Sequence, residues 1–480
     1  MSRPPDTHTR VLLTGATGSW GKSTLAELKG LGEHVSVVAL VLPTDADREV
    51  IAQYDDMDNL EVIWGDLTDY WAVADCVNRV DLVLHVGAVV SPVADEHPTL
   101  AHRVNVESMA NIIRAVRAQP DPGRIAVVGI GSVAETGSRN PPRHWGRVGD
   151  PLRVSQFDVY GQSKVVAERL LVDSGLPKWV WLRQTGIFHP GILSIRDPIM
   201  THSPFGGVME WVSVEDSARL LANLCRGPVP DEFWGGIYNI GGGEPWRLTN
   251  WQLQTALGAA MGVRDIRQWY DRNWFALKNF HGQWYTDSDR LQELVPFRAD
   301  AFPAALQRAI AAAPVSVRHA GKVPPWIVKN LVMKPLAHRP RGTMAAIRAA
   351  DDDGLAAYFG SRSIWQDIGD WSTFEPPQPS RQPSYLNHGY DESKSPALWT
   401  ITDYYEAAAF RGGQLLSSDV ANGDVATPLN WQCALGHGFT GSPRLILTGG
   451  HWCPECIRDT AGYACQAEQN PFLAQLEPDR

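Results

Sequence analysis

The stretch Val11-Leu12-Leu13-Thr14-Gly15-Ala16-Thr17-Gly18-Ser19-Trp20-Gly21 decides the fold of this chain. A short apolar run leads into glycines at positions 15, 18 and 21, and Leu25-Ala26-Glu27-Leu28 follows at helical spacing. This order predicts a strand, a glycine turn and a helix. Glycines at these positions let the backbone approach a pyrophosphate, and the N–H groups at the helix N-terminus attract the anion. The stretch therefore predicts a cradle for a dinucleotide.

The same loop nearly satisfies a second nucleotide-binding motif. Ala16 to Ser23 has the pattern A-x4-G-K-S, which is close to the P-loop that binds ATP or GTP. The strict motif begins with glycine, and we find no convincing strand-end Asp to hold the magnesium ion. The residues that follow this loop must therefore distinguish a dinucleotide site from an ATP or GTP site.

Further apolar runs alternate with helical patterns after this loop. They are Val35–Leu42, Leu60–Trp64, Asp81–Val86 and Ile125–Val128. This alternation predicts an α/β fold with a doubly wound parallel sheet of the Rossmann type. Recognition of the ribose stays open, because Asp45 and Asp47 suit the diol of NAD whereas Arg48 suits the 2′-phosphate of NADP.

Bulk properties narrow the possible partners and the location of the protein. The 480 residues predict two or three domains, and 44% hydrophobic with 20% charged residues is ordinary for a soluble globular protein. A formal net charge of −10 without a long Lys/Arg run argues against a nucleic-acid partner. The polar N-terminus has no apolar signal segment, and no run approaches roughly 18 apolar residues. We therefore expect a cytoplasmic protein with no membrane partner.

These motifs resemble the extended short-chain dehydrogenase/reductase family, which is NAD-dependent epimerase/dehydratase-like. The resemblance covers about residues 10 to 312. It includes the TGxxGxxG loop, an Asp-Leu pair on the adenine side and the strand end His85-Val86-Gly87-Ala88. It implies NAD or NADP as the cofactor and assigns cofactor contacts to Thr14, Gly15, Thr17, Gly18, Ser19, Trp20, Gly21, Asp66, Leu67, Gly87 and Ala88.

A tyrosine and a lysine four residues apart open an amphipathic helix from Tyr160 to Leu171. This spacing places Tyr160 and Lys164 on one helix face. Hydride transfer to a carbonyl needs a proton donor, and a neighbouring ammonium favours the tyrosinate form of a phenol. The family resemblance adds Ser132, which would polarise the substrate oxygen, and Asn105, which would support the site. It also implies that Tyr160 and Lys164 contact the cofactor.

The resemblance continues into a small substrate lobe, with two departures. Trp181–Gly186 matches a segment in which the family usually carries Arg-Pro, but Gln184 replaces the proline, and His189 stands where glycine is common. Residues 212–218, 237–242 and 284–291 also match family segments. The geometry of the substrate loop is therefore open.

The C-terminal part predicts a metal site. Cys433-x3-His437 is followed by Cys453-x2-Cys456, which gives three thiolates and one imidazole in two close pairs. Such a set suits a closed, structural zinc site. Cys465 is a candidate substitute ligand, although we interpret it as a bystander. The pattern resembles bacterial zinc-ribbon or treble-clef modules.

These observations divide the chain into three parts. They are a Rossmann domain with its substrate lobe (1–312), a helical segment with a Pro-rich connector (313–402) and a zinc-binding module (403–480). The leading hypothesis is an NAD(P)-dependent oxidoreductase acting on the alcohol or carbonyl group of a small organic, apolar or aromatic substrate. The alternatives are a sugar-nucleotide epimerase or dehydratase with retained NAD, and a dinucleotide-binding sensor or scaffold without turnover. Family members often dimerise through the helix that begins at Tyr160, which makes a homodimer possible here.

Overall fold

The computed structural model describes residues 8–477 and contains the predicted alternation of strands and helices. The strands up to residue 312 are β1 (Thr9–Thr14), β2 (Val35–Val41), β3 (Leu60–Trp64), β4 (Leu82–His85), β5 (Ala126–Ser132), β6 (Trp145–Gly146), β7 (Trp179–Gln184), β8 (Ile187–Phe188), β9 (Val208–Glu210), β10 (Val212–Ser213), β11 (Ile237–Ile240), β12 (Arg247–Thr249) and β13 (Trp284–Tyr285). The helices of this region are α1 (Ser19–Lys29), α2 (Asp45–Ile51), α3 (Tyr70–Val77), α4 (Val93–Glu96), α5 (Pro98–His102), α6 (Ser108–Arg117), α7 (Val159–Val172), α8 (Val214–Arg226), α9 (Asn250–Ala260), α10 (Ser288–Leu294) and α11 (Phe302–Ala312).

Seven of these strands form one parallel sheet in the order β11-β7-β5-β4-β1-β2-β3. The chain starts in the middle of the sheet and winds outward first to one side and then to the other, which is the doubly wound Rossmann arrangement. The strand order reverses between β1 and β4. The glycine loop after β1 therefore lies at the switch point, where such sheets bind ligands. The predicted fold class is confirmed.

An apolar layer covers each face of the sheet. One layer includes Leu25 of α1 and Leu221 of α8, and the other includes Ile112 of α6 and Leu171 of α7; all four side chains are fully buried. Strands buried on both faces are apolar along their whole length instead of alternating. For this reason the sequence contains them as continuous apolar runs.

Three two-stranded ribbons form a small lobe beside the main sheet. They pair β8 with β10, β9 with β12 and β6 with β13. Because β8 follows directly after β7, the lobe stands at the carboxyl edge of the parallel sheet. The glycine loop lies at the same edge, so the lobe and the loop face one site.

Residues 313–402 are mostly helical at first and irregular later. The helices are α12 (Val315–Arg318), α13 (Pro325–Val328), α14 (Lys334–Ala337), α15 (Thr343–Ala349), α16 (Asp352–Phe359) and α17 (Arg362–Gln366). A π-helical turn, Lys329–Met333, joins α13 to α14. Ala350, which adopts a left-handed conformation with φ of +53°, separates α15 from α16. In the described part of the chain, no helix is long and apolar enough to cross a membrane.

The C-terminal module, residues 403–477, contains a small antiparallel sheet and short helices. Its elements, with the helix that leads into it, are α18 (Ile401–Phe410), β14 (Gln414–Leu415), β15 (Leu429–Gln432), β16 (Gly438–Gly441), α19 (Pro454–Arg458), α20 (Tyr463–Gln466) and α21 (Pro471–Ala474). It has an apolar core of its own, in which Tyr404, Trp431 and Trp452 are buried. Large aromatic side chains thus compensate for the small size of this module.

The C-terminal module covers the outer face of α7. Arg169 donates a hydrogen bond to the carbonyl of Trp452, and the N–H of Ser442 donates to the carboxylate of Asp173. Of the fourteen residues of α7, only Leu170 is exposed. The family resemblance assigns this helix to a dimer contact. Such a dimer would first have to displace the module.

Candidate functional site

The glycine loop is shaped to receive an anion. Gly15 has φ of +69°, and a Cβ at this position would lie 2.7 Å from the Cα of Gly87. A Cβ on Gly21 would lie 2.0 Å from the Gly15 carbonyl oxygen, so both positions require glycine. A Cβ on Gly18 would meet only that oxygen, at 3.4 Å, which leaves the surface above Gly18 open. Among the described residues, no side chain caps the N-terminus of α1, so its N–H groups are available to a phosphate.

The remaining loop residues differ in what they can offer to a cofactor. Ser19 is exposed and Thr17 is half-buried, so both are near the open surface. Trp20 is buried in the core that covers one face of the sheet. A contact between Trp20 and a cofactor can therefore involve only its backbone N–H group.

The loops after β1, β3 and β4 close into one wall. The Thr14 hydroxyl accepts a hydrogen bond from the Gly87 N–H at 3.0 Å and contacts Nδ1 of His85 at 2.9 Å. A Cβ on Gly87 would lie 2.7 Å from Cδ1 of Leu67, and the half-buried Ala88 follows. Burial lowers the pKa of His85 to about 3, so the ring is neutral and serves to join the strands. The predicted cofactor residues are thus adjacent in space.

The charged residues predicted to recognise the adenosine part of the cofactor also make contacts that stabilise the local structure. Asp66 is exposed and accepts the N–H of Thr68 at 2.8 Å. Asp45 and Asp47 lie in the first turn of α2, where negative charge is favourable. The Arg48 guanidinium lies 4.3 Å from the ring centroid of a neighbouring tryptophan on β3.

Ser132, Tyr160 and Lys164 meet at the carboxyl end of β5. Ser132 is the last residue of β5 and is buried, whereas Tyr160 is half-buried at the start of α7. Nζ of Lys164 lies 5.8 Å from the Tyr160 ring centroid and donates a hydrogen bond to the carbonyl of Ile130 at 2.8 Å. This bond joins α7 to β5. The structure therefore brings together the three catalytic candidates.

Burial sets the protonation of this group. It lowers the pKa of the Lys164 ammonium to about 8, while the negative charge of Glu135 opposes the shift. Burial raises the pKa of the Tyr160 hydroxyl, and a hydrogen bond with Ser132 opposes that rise. A phenol that holds its proton can donate it to a carbonyl oxygen during reduction. The arrangement is suited to proton transfer at an oxygen that lies between Ser132 and Tyr160.

Asn105 supports the group from the neighbouring helix. It lies in a π-helical turn, Arg103–Glu107, which precedes α6. Its side-chain amide donates to Oγ of Ser163 at 2.9 Å and makes two hydrogen bonds of 2.8 Å with the backbone of Val89. Because Ser163 precedes Lys164, these bonds hold α7 against the loop after β4. Asn105 is therefore a positioning residue.

A cluster of buried charged side chains lies behind Ser132. The Ser132 N–H donates to Glu135 at 2.7 Å, and the Arg183 guanidinium lies 2.7 Å from Glu168 and 3.4 Å from Glu135. Burial raises the pKa of Glu135, and the charge of Glu168 raises it further. Burial also opposes ionisation of Glu168, but Arg183 overcomes this effect and holds its pKa well below the ordinary value. Glu168 is therefore the more acidic of these two buried carboxyl groups.

The C-terminal module completes this cluster. Nε2 of His451 donates to Glu168 at 3.0 Å, and the Gly449 carbonyl accepts a hydrogen bond from Arg183 at 2.7 Å. Burial lowers the pKa of His451, so its ring is neutral. No motif in the sequence predicts this cluster. One signal was present, because Glu168 lies four residues after Lys164 on the buried face of the same helix, where a charge needs partners.

We expect the His451→Leu substitution to lower the free energy of unfolding by about 1–3 kcal/mol, because a buried carboxylate loses a hydrogen-bond donor. Urea denaturation of the full chain measures the change. His34→Leu, at an exposed histidine, is the matched control and should shift stability by less than about 0.5 kcal/mol. Equal stability of the two variants would show that the contact contributes nothing.

The four predicted metal ligands converge in the C-terminal module. Sγ of Cys433 lies 3.7 Å from Sγ of Cys456, and Nδ1 of His437 lies 3.5 Å and 3.6 Å from the Sγ atoms of Cys453 and Cys456. A tetrahedron with Zn–S of about 2.3 Å and Zn–N of about 2.1 Å has edges of about 3.8 Å and 3.6 Å. The donor set and its spacing therefore fit zinc. Cys465 is exposed and lies outside this cluster.

An apolar cavity of about 470 Å³ lies between the lobe and the helices after residue 313. Aliphatic and aromatic side chains dominate its wall, and Arg196 is the one charged side chain among the described residues that line it. Met209 and Trp211 belong to this wall and pack against Val133, the neighbour of Ser132. The cavity therefore extends toward the catalytic group.

A second cavity, of about 440 Å³, continues from the first toward α7. Both are lined by His281, whose Nδ1 lies 3.3 Å from the carboxylate of Asp158, and residues 155–158 line the second. Asp158 caps the helix that carries Tyr160. His189, one of the two departures from the family pattern, lines the first cavity. This departure therefore bears on what the cavity binds.

The N-terminal part of the chain is similar to proteins of known class. Residues 11–178 match the model of a family described as "NAD dependent epimerase/dehydratase family". The chain is also similar to the 3 beta-hydroxysteroid dehydrogenase type 7 of Mus musculus, with 28% identity over 153 residues. This match covers 30% of the chain and 41% of the length of that relative.

Two solved structures illustrate the likeness of fold. The dTDP-glucose 4,6-dehydratase of Bacillus anthracis, in complex with NAD, is 16% identical with a TM-score of 0.49, and the match covers 66% of this chain and 98% of that one. The UDP-Glc/GlcNAc 4-epimerase of Campylobacter jejuni is 14% identical with a TM-score of 0.48, over 63% and 98% of the two chains. The family match favours the dinucleotide interpretation of the glycine loop over the P-loop. Residues 11–178, which include the glycine loop and the catalytic candidates, thus match the NAD dependent epimerase/dehydratase family.

Proposed function

We propose that the chain is an NAD(P)-dependent oxidoreductase that transfers a hydride between the nicotinamide cofactor and the alcohol or carbonyl group of an apolar organic substrate. The observation that carries this proposal is the apolar cavity whose wall residues Met209 and Trp211 pack near Val133, the neighbour of Ser132. A second cavity continues from it and is lined by residues 155–158, just before α7. Apolar walls with a few convergent polar groups are typical of sites for bulky apolar ligands. A nucleoside diphosphate would call for several cations. Among the described wall residues, the first cavity has one, Arg196, and the second has one, Arg341, beside three aspartates, Asp95, Asp158 and Asp351.

Each candidate residue has a role in this reaction. The open loop at Gly18 and the N-terminus of α1 would hold the pyrophosphate, and Lys164 would contact the ribose of the cofactor. The bound cofactor supplies or accepts the hydride. Tyr160 would donate the proton in reduction and accept it in oxidation, while Ser132 holds the substrate oxygen. Asn105 keeps α7 in register with the sheet.

We also propose that Cys433, His437, Cys453 and Cys456 hold a structural Zn²⁺ ion. Four protein ligands leave no open position for water or substrate, so the ion would stabilise the module and take no part in the reaction. The segment between the two ligand pairs carries Gly449 and His451. By fixing the ends of this segment, zinc would help to keep Gly449 and His451 in contact with the buried cluster behind Ser132.

The family match favours a second candidate, a sugar-nucleotide epimerase or dehydratase that retains NAD. Such an enzyme would oxidise and reduce the substrate within one turnover, using the same tyrosine and lysine. The substrate diphosphate would then depend on Arg196 and on neutral donors of the cavity wall, such as His189 and Asn250.

An assay of the full chain separates these candidates. We expect net reduction of NAD⁺ or NADP⁺ with bulky apolar secondary alcohols, and net oxidation of the reduced cofactor with the matching ketones. UDP- and dTDP-hexoses should give no product. Conversion of a nucleotide sugar without net change of the cofactor would support the second candidate. Tight cofactor binding without turnover of either class would instead support a sensor or scaffold.

A further inference from the structure

One segment of this acidic protein is strongly basic. Residues 301–350 contain eight Arg and Lys and no Asp or Glu, although the formal net charge of the chain is −10. Its exposed cations include Arg318, Lys322, Lys334 and Arg339. Within residues 8–477 no ion pair engages these four, whereas Lys329 is paired with an aspartate at 2.6 Å. The segment therefore presents uncompensated positive charge to solvent.

The same segment exposes large apolar side chains. Val315, Trp326 and Leu331 are 63%, 64% and 67% exposed. Trp326 lies in α13, and Leu331 lies in the π-helical turn Lys329–Met333 that follows directly. Single exposed apolar residues are ordinary, but a basic helical segment that exposes several of them calls for a partner.

The apolar cavity opens onto this surface. Val323 and Val332 line the cavity and are also exposed, so they form part of its rim. Ile195 and Arg196, from the lobe, line the same cavity and are exposed as well. The rim thus combines apolar side chains with a cation, like the segment itself.

We infer that residues 315–334, with Ile195 and Arg196, form a docking surface for an anionic lipid bilayer. Trp326 and Leu331 enter the boundary between headgroups and acyl chains, and the surrounding cations attract the lipid phosphates. Charge complementarity favours this partner, because residues 315–334 carry exposed cations and large exposed apolar side chains and contain no Asp or Glu. An apolar molecule can then pass between the bilayer and the cavity without crossing water.

This docking surface needs no spanning helix. The expectation of no membrane partner rested on the lack of a long apolar run, which excludes a spanning helix but not attachment to the surface. The inference goes beyond the proposed function, and vesicle binding is measured without turnover. A failure to bind vesicles would therefore leave the proposed reaction unaffected. A failure of the proposed reaction would likewise leave the docking surface unaffected.

Co-sedimentation of the full chain with lipid vesicles tests the apolar part of the surface. We expect binding to vesicles of phosphatidylcholine mixed with phosphatidylglycerol, and weaker binding to phosphatidylcholine alone. The double variant Trp326→Ser, Leu331→Ser should bind the mixed vesicles at least about tenfold more weakly. Trp71→Ser, at a tryptophan that is 76% exposed on α3, is the matched control and should bind like the unaltered chain.

The double variant Lys322→Glu, Lys334→Glu tests the cations in the same assay. Arg226→Glu is its control. The first pair should weaken binding to the mixed vesicles by about tenfold or more, while the control at another exposed cation should not. Absence of binding by the unaltered chain, or equal binding by all variants, would overturn the inference. A dimer in sedimentation velocity that the Trp326/Leu331 variant dissociates, without vesicle binding, would assign the surface to a second copy of the chain.

Discussion

Replacing Tyr160 with Phe lowers kcat of the proposed reaction by about 10²–10⁴-fold, because the step loses its general acid and base. The affinity for the cofactor stays nearly unchanged, since the ring remains in place and the Lys164 bond to Ile130 does not involve the lost hydroxyl. Single-turnover kinetics at saturating substrate measure the first effect, and titration of the purified chain with the cofactor measures the second.

The matched control is Tyr404→Phe, at a buried tyrosine in the core of the C-terminal module. That variant loses a hydroxyl of the same kind far from Ser132 and should keep its kcat. A Tyr160→Phe variant as active as the unaltered chain would refute the proposed mechanism. A parallel loss of cofactor affinity would instead point to a binding role for the hydroxyl.

We expect loss of the proposed zinc ion to unfold the C-terminal module. Structural zinc contributes about 10–16 kcal/mol of apparent binding free energy in small zinc modules, so Cys453→Ser or a strong chelator should remove most of the order in residues 403–477. Native mass spectrometry should find one zinc ion per unaltered chain, and limited proteolysis should cut the variant within the module. Activity should fall as well, because His451 and Gly449 lie close to Cys453 in the chain and contact the buried cluster.

Cys465→Ser is the control for this experiment. The Cys465 thiol is exposed and lies outside the ligand cluster, so that variant should keep its zinc and its resistance to protease. A purified chain without metal would refute the zinc proposal. Loss of zinc with an unchanged proteolysis pattern would show that the module folds by its aromatic core alone.

The sheet and the convergence of the catalytic candidates could be predicted because their signals are local. Strands buried on both faces are continuous apolar runs, and Gly15 and Gly21 are required by contacts within one loop. Tyr160 and Lys164 share a helix face by spacing alone. The candidate metal ligands were recognisable for the same reason, since each pair is close in sequence.

The buried cluster could not be predicted, because it depends on contacts between distant parts of the chain. Glu168 and His451 are separated by 283 positions, and no periodicity connects them. The break between α15 and α16 also lacks a sequence signal. It occurs at Ala350, without the glycine or proline that usually marks such a position. Tertiary packing determines both features, and the intrinsic helix or strand preferences of single residues do not reflect it.

The contact between the C-terminal module and α7 does not depend on protein concentration. A helix covered by a second subunit loses its cover when the protein is diluted, so the stability of a dimer depends on concentration. Here the cover belongs to the same chain, and the linking segment keeps it at a high effective concentration. Dilution separates two subunits, but it does not separate two parts of one polypeptide. The catalytic helix therefore keeps its partner at any expression level.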